Sequence, residues 1–160
     1  RFLADSTEQY DVIAVDAYRP PYIPFHLTTR EFFEEARRHL TPAGVVAINV
    51  GRTADDSSLV DALAATMRAV FPSVYLINEP LSGDELGNSV VVATLQPTDV
   101  GNFDANLALL AGNPLLSEVG RRVAGNVEPA TRPGIVFTDD RAPVEQVMHQ
   151  LMLRYALAGD

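Results

Sequence analysis

The sequence predicts an α/β domain: a mostly parallel sheet with helices on both faces and a final antiparallel hairpin. Three observations carry this. Two apolar runs without polar alternation, Val12-Ile13-Ala14-Val15 and the stretch Gly44 to Val50, have the pattern of strands buried on both faces. Amphipathic stretches at helical spacing alternate with such runs, as in a sheet covered by helices. The last two strands are joined only by a polar, turn-rich loop over residues 78–87, so they pair antiparallel.

In chain order, Tyr10 to Asp16 is the first strand, and Pro20, Pro21 and Pro24 stiffen the segment after it. Thr28 and Glu31 form a capping box that opens a helix, with Phe32, Phe33, Ala36 and Leu40 on one face. Thr41-Pro42-Ala43-Gly44 stops it, and Gly44 to Val50 is the second strand. Ser58 and Asp61 cap a second helix, whose stripe is Leu59, Val60, Leu63, Met67, Val70 and Phe71 before Pro72. Val74 to Ile77 and Asn88 to Leu95 are the third and fourth strands. Beyond Gln96, residues 102–116 have weak helical periodicity, and Ile135-Val136-Phe137 is a short apolar run. Asp139 or Asp140 caps a last helix, with Pro143 in its first turn and Val144, Val147, Met148, Leu151 and Tyr155 facing inward. Residues 1–96 therefore read as a sheet core and 97–160 as a helical extension.

The bulk numbers exclude several classes. No apolar run nears the length of a membrane span. The chain has no cysteine, which excludes disulfides and thiolate metal sites and suits a cytoplasmic protein. His39 and His149 lack partners at ligand spacing, so no metal site is expected. A formal net charge of −9 repels phosphate, so no nucleic-acid partner is expected.

Asp16 is the candidate for chemistry. In open α/β sheets, ligands bind beyond the carboxyl ends of strands, where Asp16 stands. A carboxylate there serves a ligand or caps the next turn, and the residues alone leave both open.

The order of motifs resembles the spermidine synthase-like (polyamine aminopropyltransferase) family, in the C-terminal part of the class I S-adenosylmethionine-dependent methyltransferase fold, a Rossmann-like fold. The residues that carry the resemblance are Tyr10-Asp11-Val12-Ile13-Ala14-Val15-Asp16, then Pro20, then Leu27-Thr28-Thr29-Arg30-Glu31-Phe32-Phe33, then Leu40-Thr41-Pro42-Ala43-Gly44. The tail from Thr138 to Glu145 resembles the end of bacterial members, some of which carry a membrane region, so a membrane-attached parent is compatible with it. The resemblance implies transfer of an aminopropyl group from decarboxylated S-adenosylmethionine to a small amine in polyamine biosynthesis. On the same scaffold, S-adenosylmethionine-dependent methyl transfer and a degenerate binding or assembly domain are the rivals.

The resemblance assigns Asp16 as the base that takes a proton from the amine, because an ammonium has no lone pair with which to attack. It places Asp16, Ala17 and Tyr18 beside the co-substrate, and Arg19 and Tyr22 beside the acceptor. Where the family has a second aspartate, this chain has Arg19. Two unit charges about 4 Å apart interact by about 4 kcal/mol at an effective dielectric near 20, so this sign reversal disfavours a simple diamine. An acceptor with a carboxylate or phosphate would suit an arginine instead.

The resemblance also implies that the chain begins inside the fold. No G-x-G motif occurs in it, and most of the co-substrate site is expected upstream, so the chain alone is expected to be inactive. The strand at residues 12–15 then becomes an uncharged apolar edge, and such edges pair. A homodimer, or another pairing through that strand, is the expected consequence.

Overall fold

The first two apolar runs lie side by side. The computed structural model describes residues 3–17, 23–81 and 86–158. In it β1 (Tyr10–Val15) pairs in parallel with β2 (Leu40–Thr53), with Val12 beside Val45 and Val15 beside Ile48. Between them runs α1 (Arg30–Arg38), the crossover that a parallel pair needs. Strand β2 begins earlier than expected. Leu40 already pairs with Tyr10, residues 41–44 interrupt the register, and the ladder resumes at Val45. Thr41 belongs to that interruption and donates its hydroxyl to Asp11 Oδ1 at 2.7 Å.

Helix α2 (Ser58–Arg68) leads to β3 (Ser73–Asn78) and β4 (Leu86–Thr94). These two pair antiparallel, as expected, but β4 also pairs antiparallel with β2 along nine positions, from Val45↔Thr94 to Thr53↔Leu86. It therefore sits between β2 and β3. Three strands, β1, β2 and β3, run in one direction, yet only β1 and β2 are parallel neighbours. The remaining elements are α3 (Gly101–Leu109), α4 (Pro114–Val123), β5 (Val127–Pro129) and α5 (Val144–Ala158). Strand β5 adds to the edge beside β3, giving the order β1-β2-β4-β3-β5.

One face of this sheet is dry. Val15, Val46, Ile48, Val50, Val74, Leu76, Val91 and Ala93 are buried, as are Phe33 and Ala36 of α1, Leu59, Val60, Leu63 and Met67 of α2, and Val144, Met148 and Leu151 of α5. Tyr155, expected inward, is 37% exposed, because it lies a turn beyond the last buried residue of α5. The other face carries Val45, Ala47, Asn49, Val90 and Val92 half-buried. There α3 flanks a cleft of about 400 Å³, with Val100, Phe103 and Asn106 opposite Tyr75, Ile77 and Val92.

Helix ends differ from the sequence reading in an instructive way. Thr29, not Thr28, caps α1, accepting from Phe32 N at 3.3 Å, while the Thr28 hydroxyl donates to Phe25 O. Glu31 does not reach back to a cap. Its Oε2 accepts from Asp139 N at 3.0 Å, and Arg30 N donates to Phe137 O at 2.8 Å. The tail thus satisfies donors at the start of α1. Ser57 caps α2 by position, while Asp56 Oδ1 accepts from Ser58 N at 3.0 Å, and Asp61 accepts from the Ser57 hydroxyl. Asp139 and Asp140 do not cap α5. They form a turn closed by Thr138 and Arg141, and α5 begins only at Val144, after Pro143.

Asp56 is 7% exposed and also meets Arg154 of α5 at 2.9 Å. Burial pushes its carboxyl up, but the bonds from Ser58 and the Arg154 guanidinium outweigh burial and hold it below the usual carboxylate range. A depressed folded value means stability that is present above the unfolded value and lost as pH falls through the folded one. We therefore expect the urea midpoint to drop as pH is lowered below about 4. Asp56→Asn should lower that midpoint at pH 7 and narrow its difference from the parent chain at pH 3. Equal differences at both pH values would contradict the assignment.

Candidate functional site

A carboxylate at a strand end is exposed only if nothing closes over it. Asp16 directly follows Val15, whose side chain is buried toward the helices, so alternation turns Asp16 to the opposite side of β1. Asp16 and Ala17 are both exposed. They border an open concavity of about 480 Å³ along β1, walled by Val12, Ala14, Leu27 and Phe32, with Leu3 and Tyr10 at its other end. Leu27 and Phe32 come from the turn before α1 and from its first turn. The packing of that helix therefore sets one wall of the concavity.

The register places Asn49 next to Asp16, one step beyond the Val15↔Ile48 pair. Asn49 Nδ2 donates to Asp16 Oδ1 at 3.4 Å. Sequence reading missed Asn49, because it lies inside an apolar run and reads as a strand residue. The signal available was its parity: a lone amide in a buried strand, at the carboxyl end, beside a candidate carboxylate once the strands are paired in parallel.

Strand β1 is not buried on both faces, as its composition suggests. Asp11, Val12 and Ala14 are exposed, with Val12 at 59%, because β1 has a neighbour on one side only among the described residues. The expected apolar edge is present.

Tyr18, Arg19 and Tyr22, and with them the expected acceptor contacts, lie outside the described residues, as does Asp84. Other polar side chains that sequence alone offers for chemistry, among them His26, Glu79, His39, Asp139, Asp140 and His149, lie away from Asp16 or hold structural contacts. His26 is exposed and packs edge-to-face on Phe25 at 5.7 Å. Glu79 Oε2 accepts from Asn88 N at 3.0 Å, bracing the β3–β4 connection. His39 closes α1, with Nδ1 on Glu8 O and Nε2 on Glu35, each at 3.1 Å. Asp139 and Asp140 stay exposed in their turn, and His149 is exposed on α5. Glu31 has its carboxyl held below the usual range, chiefly by its own backbone N–H and further by Asp139 N–H and Arg30, which suits a structural clasp. Among the described residues, no group of three or more acidic or histidine side chains could hold a metal ion. Among them, too, no helix is long and apolar enough to cross a membrane.

No family model matches the sequence. Individual proteins do. The chain is 30% identical over 164 aligned residues to a probable polyamine aminopropyl transferase of Bifidobacterium longum, an alignment that covers 94% of the chain and 37% of that protein. It is 40% identical over 88 residues to a polyamine aminopropyltransferase of Vibrio vulnificus, covering 55% of the chain and 27% of that protein. Its fold is similar to the crystal structure of a probable spermidine synthase from Corynebacterium glutamicum, with a TM-score of 0.58 and 25% identity, over 85% of the chain and 50% of that structure. The chain thus spans about a third of the length of the curated relatives it matches, and half of the solved one. With the strand-turn-helix order around Asp16 and these likenesses together, the chain is spermidine synthase-like, similar to polyamine aminopropyltransferases over the part of them that it spans, with a methyltransferase-like fold.

Proposed function

We propose that this protein transfers an aminopropyl group from decarboxylated S-adenosylmethionine to a small amine, with Asp16 as the base. The observation that carries the proposal is the exposed Asp16 carboxylate on the rim of an apolar concavity at the carboxyl end of β1. Apolar walls with one carboxylate fit a co-substrate that bears a cationic sulfonium beside apolar surface. Bound there, the co-substrate supplies an electrophilic carbon next to its sulfur. Asp16 attracts the acceptor ammonium, takes one proton from its nitrogen and frees the lone pair for attack. The new carbon–nitrogen bond forms as the carbon–sulfur bond breaks. The electron pair of the broken bond passes to sulfur, which leaves as the neutral thioether of methylthioadenosine.

In this reading Ala17 and Tyr18 border the co-substrate, and Arg19 and Tyr22 border the acceptor. Arg19 then selects against simple diamines and in favour of an acceptor that also carries an anionic group.

The experiment is an incubation of the full-length natural protein with decarboxylated S-adenosylmethionine, or with S-adenosylmethionine, and a panel of amines. Release of methylthioadenosine supports aminopropyl transfer, whereas S-adenosylhomocysteine means methyl transfer, and neither product with any amine means a binding domain. Asp16→Asn should lower kcat by about 10²- to 10⁴-fold, the usual contribution of a positioned base. Arg19→Asp should raise kcat/KM for unsubstituted diamines relative to acceptors bearing a carboxylate. An unchanged ratio would remove Arg19 from the acceptor site.

We further propose that β1 pairs with a second copy of the chain. Its edge has no proline within Tyr10–Val15 and exposes Val12 and Ala14 between Asp11 and Asp16, so little opposes strand addition. Sedimentation of this chain should show a dimer, and Val12→Lys should shift it toward monomer. A monomer at all concentrations for the unmutated chain would rule the pairing out.

A further inference from the structure

The side chain of Asn49 is out of place by composition. On the open sheet face its nearest neighbours on β2 and β4 are apolar, Ala47 on its own strand and Val90 opposite, with Val92 diagonal. A half-buried amide beside apolar neighbours packs less well than a valine would, and it is satisfied by a polar partner within reach. Its side-chain amide points along the sheet to Asp16, donating to Oδ1 at 3.4 Å. The backbone on both sides is fixed: β1 and β2 are held in parallel register up to Val15↔Ile48, and β4 holds Asn49 opposite Val90. Asn49 therefore stands on a strand paired on both sides, and Asp16 directly follows the last paired residue of β1.

We propose that Asn49 is a positioning residue for the base. Its amide holds one carboxylate oxygen of Asp16 and turns the other, Oδ2, free for the ammonium proton. A carboxylate with both oxygens free rotates about its Cβ–Cγ bond and spends less time aligned with the incoming nitrogen. A distance of 3.4 Å is long for a finished bond, as catalytic hydrogen bonds commonly are before substrate tightens them. The role differs from a substrate contact. Asn49 acts through Asp16, so its loss lowers turnover and leaves acceptor binding nearly alone.

This inference rests on the proposed transfer reaction, and the experiment separates the two. The natural full-length protein is assayed for methylthioadenosine release as the parent form and as Asn49→Leu, Asn49→Ala, Asn49→Gln and Asn49→Asp. Leucine keeps the shape of asparagine without a donor, so it guards against a cavity or a folding defect, and thermal melts check that each variant is folded. The expected result is a fall in kcat of about tenfold for Asn49→Leu and Asn49→Ala, the size of one lost hydrogen bond, with KM for the amine within about twofold. Asn49→Gln, which retains a donor, recovers most of that loss. Asn49→Asp, which sets a second carboxylate against Asp16, falls further than leucine. An unchanged kcat in Asn49→Leu, an equal loss in leucine and glutamine variants, or an effect on KM alone overturns the positioning role while transfer stands. No methylthioadenosine from the parent form with any amine overturns the reaction, and the positioning role with it.

Discussion

The parallel pairing of β1 with β2 is the constraint on which the candidate site depends. It comes from two short apolar runs that each bury alternate residues, Val15 on one and Ile48 on the other, against the same helices. Because side chains alternate with a period of two, burying Val15 and Ile48 turns both Asp16 and Asn49 to the opposite face. A slip of one residue in either strand would bury a carboxylate or an amide against Phe33 and Leu63 instead. The hydrophobic face thus sets the geometry of the polar one, and the carboxylate, one residue past the end of β1, meets the amide on β2.

Much of the fold was legible because it is written in local pattern. The runs at residues 12–15 and 44–50, the stripe of α2 and the polar loop before β4 each specify an element by composition and period alone. Strand order was less legible. Nothing local says that β4 enters between β2 and β3, since that depends on which edges remain to be paired. Nor does a three-residue strand such as Val127–Pro129 have a period to read. Capping failed as a sequence signal for a related reason. Thr28, Thr29 and Glu31 all suit a helix start, but the Thr28 hydroxyl is taken by Phe25 O and the Glu31 carboxylate by the Asp139 amide 108 residues away, which leaves Thr29 as the cap.

The site was legible in part. Asp16 stands out as a candidate by its place after an apolar run, and family likeness suggests its role. Asn49 does not stand out, because its meaning arises only when two strands are set side by side. Arg19 stands out in the sequence by its sign, and in the proposed reading it would bear on the choice of acceptor.

The tail takes part in building the site, although it lies far from Asp16 in sequence. Phe137 is fully buried, and its N–H donates to the buried Thr66 hydroxyl at 2.9 Å, while that hydroxyl itself donates to Ala62 O. Phe137 O then accepts from Arg30 N, and Asp139 N meets Glu31. Arg68 anchors the same segment by donating to Ala130 O and Arg132 O. Gly134 runs so close to α2 that a Cβ there would lie 2.3 Å from Asp61 O, so no side chain fits between tail and helix. Each of these bonds is worth only about 1 kcal/mol net, yet leaving a buried donor such as Phe137 N–H unpaired costs about 1–3 kcal/mol. The tail is therefore fixed to α2, and α1 is fixed to the tail. Since α1 and the turn before it carry Phe32 and Leu27, the concavity beside Asp16 takes its shape from contacts made more than a hundred residues later in the chain.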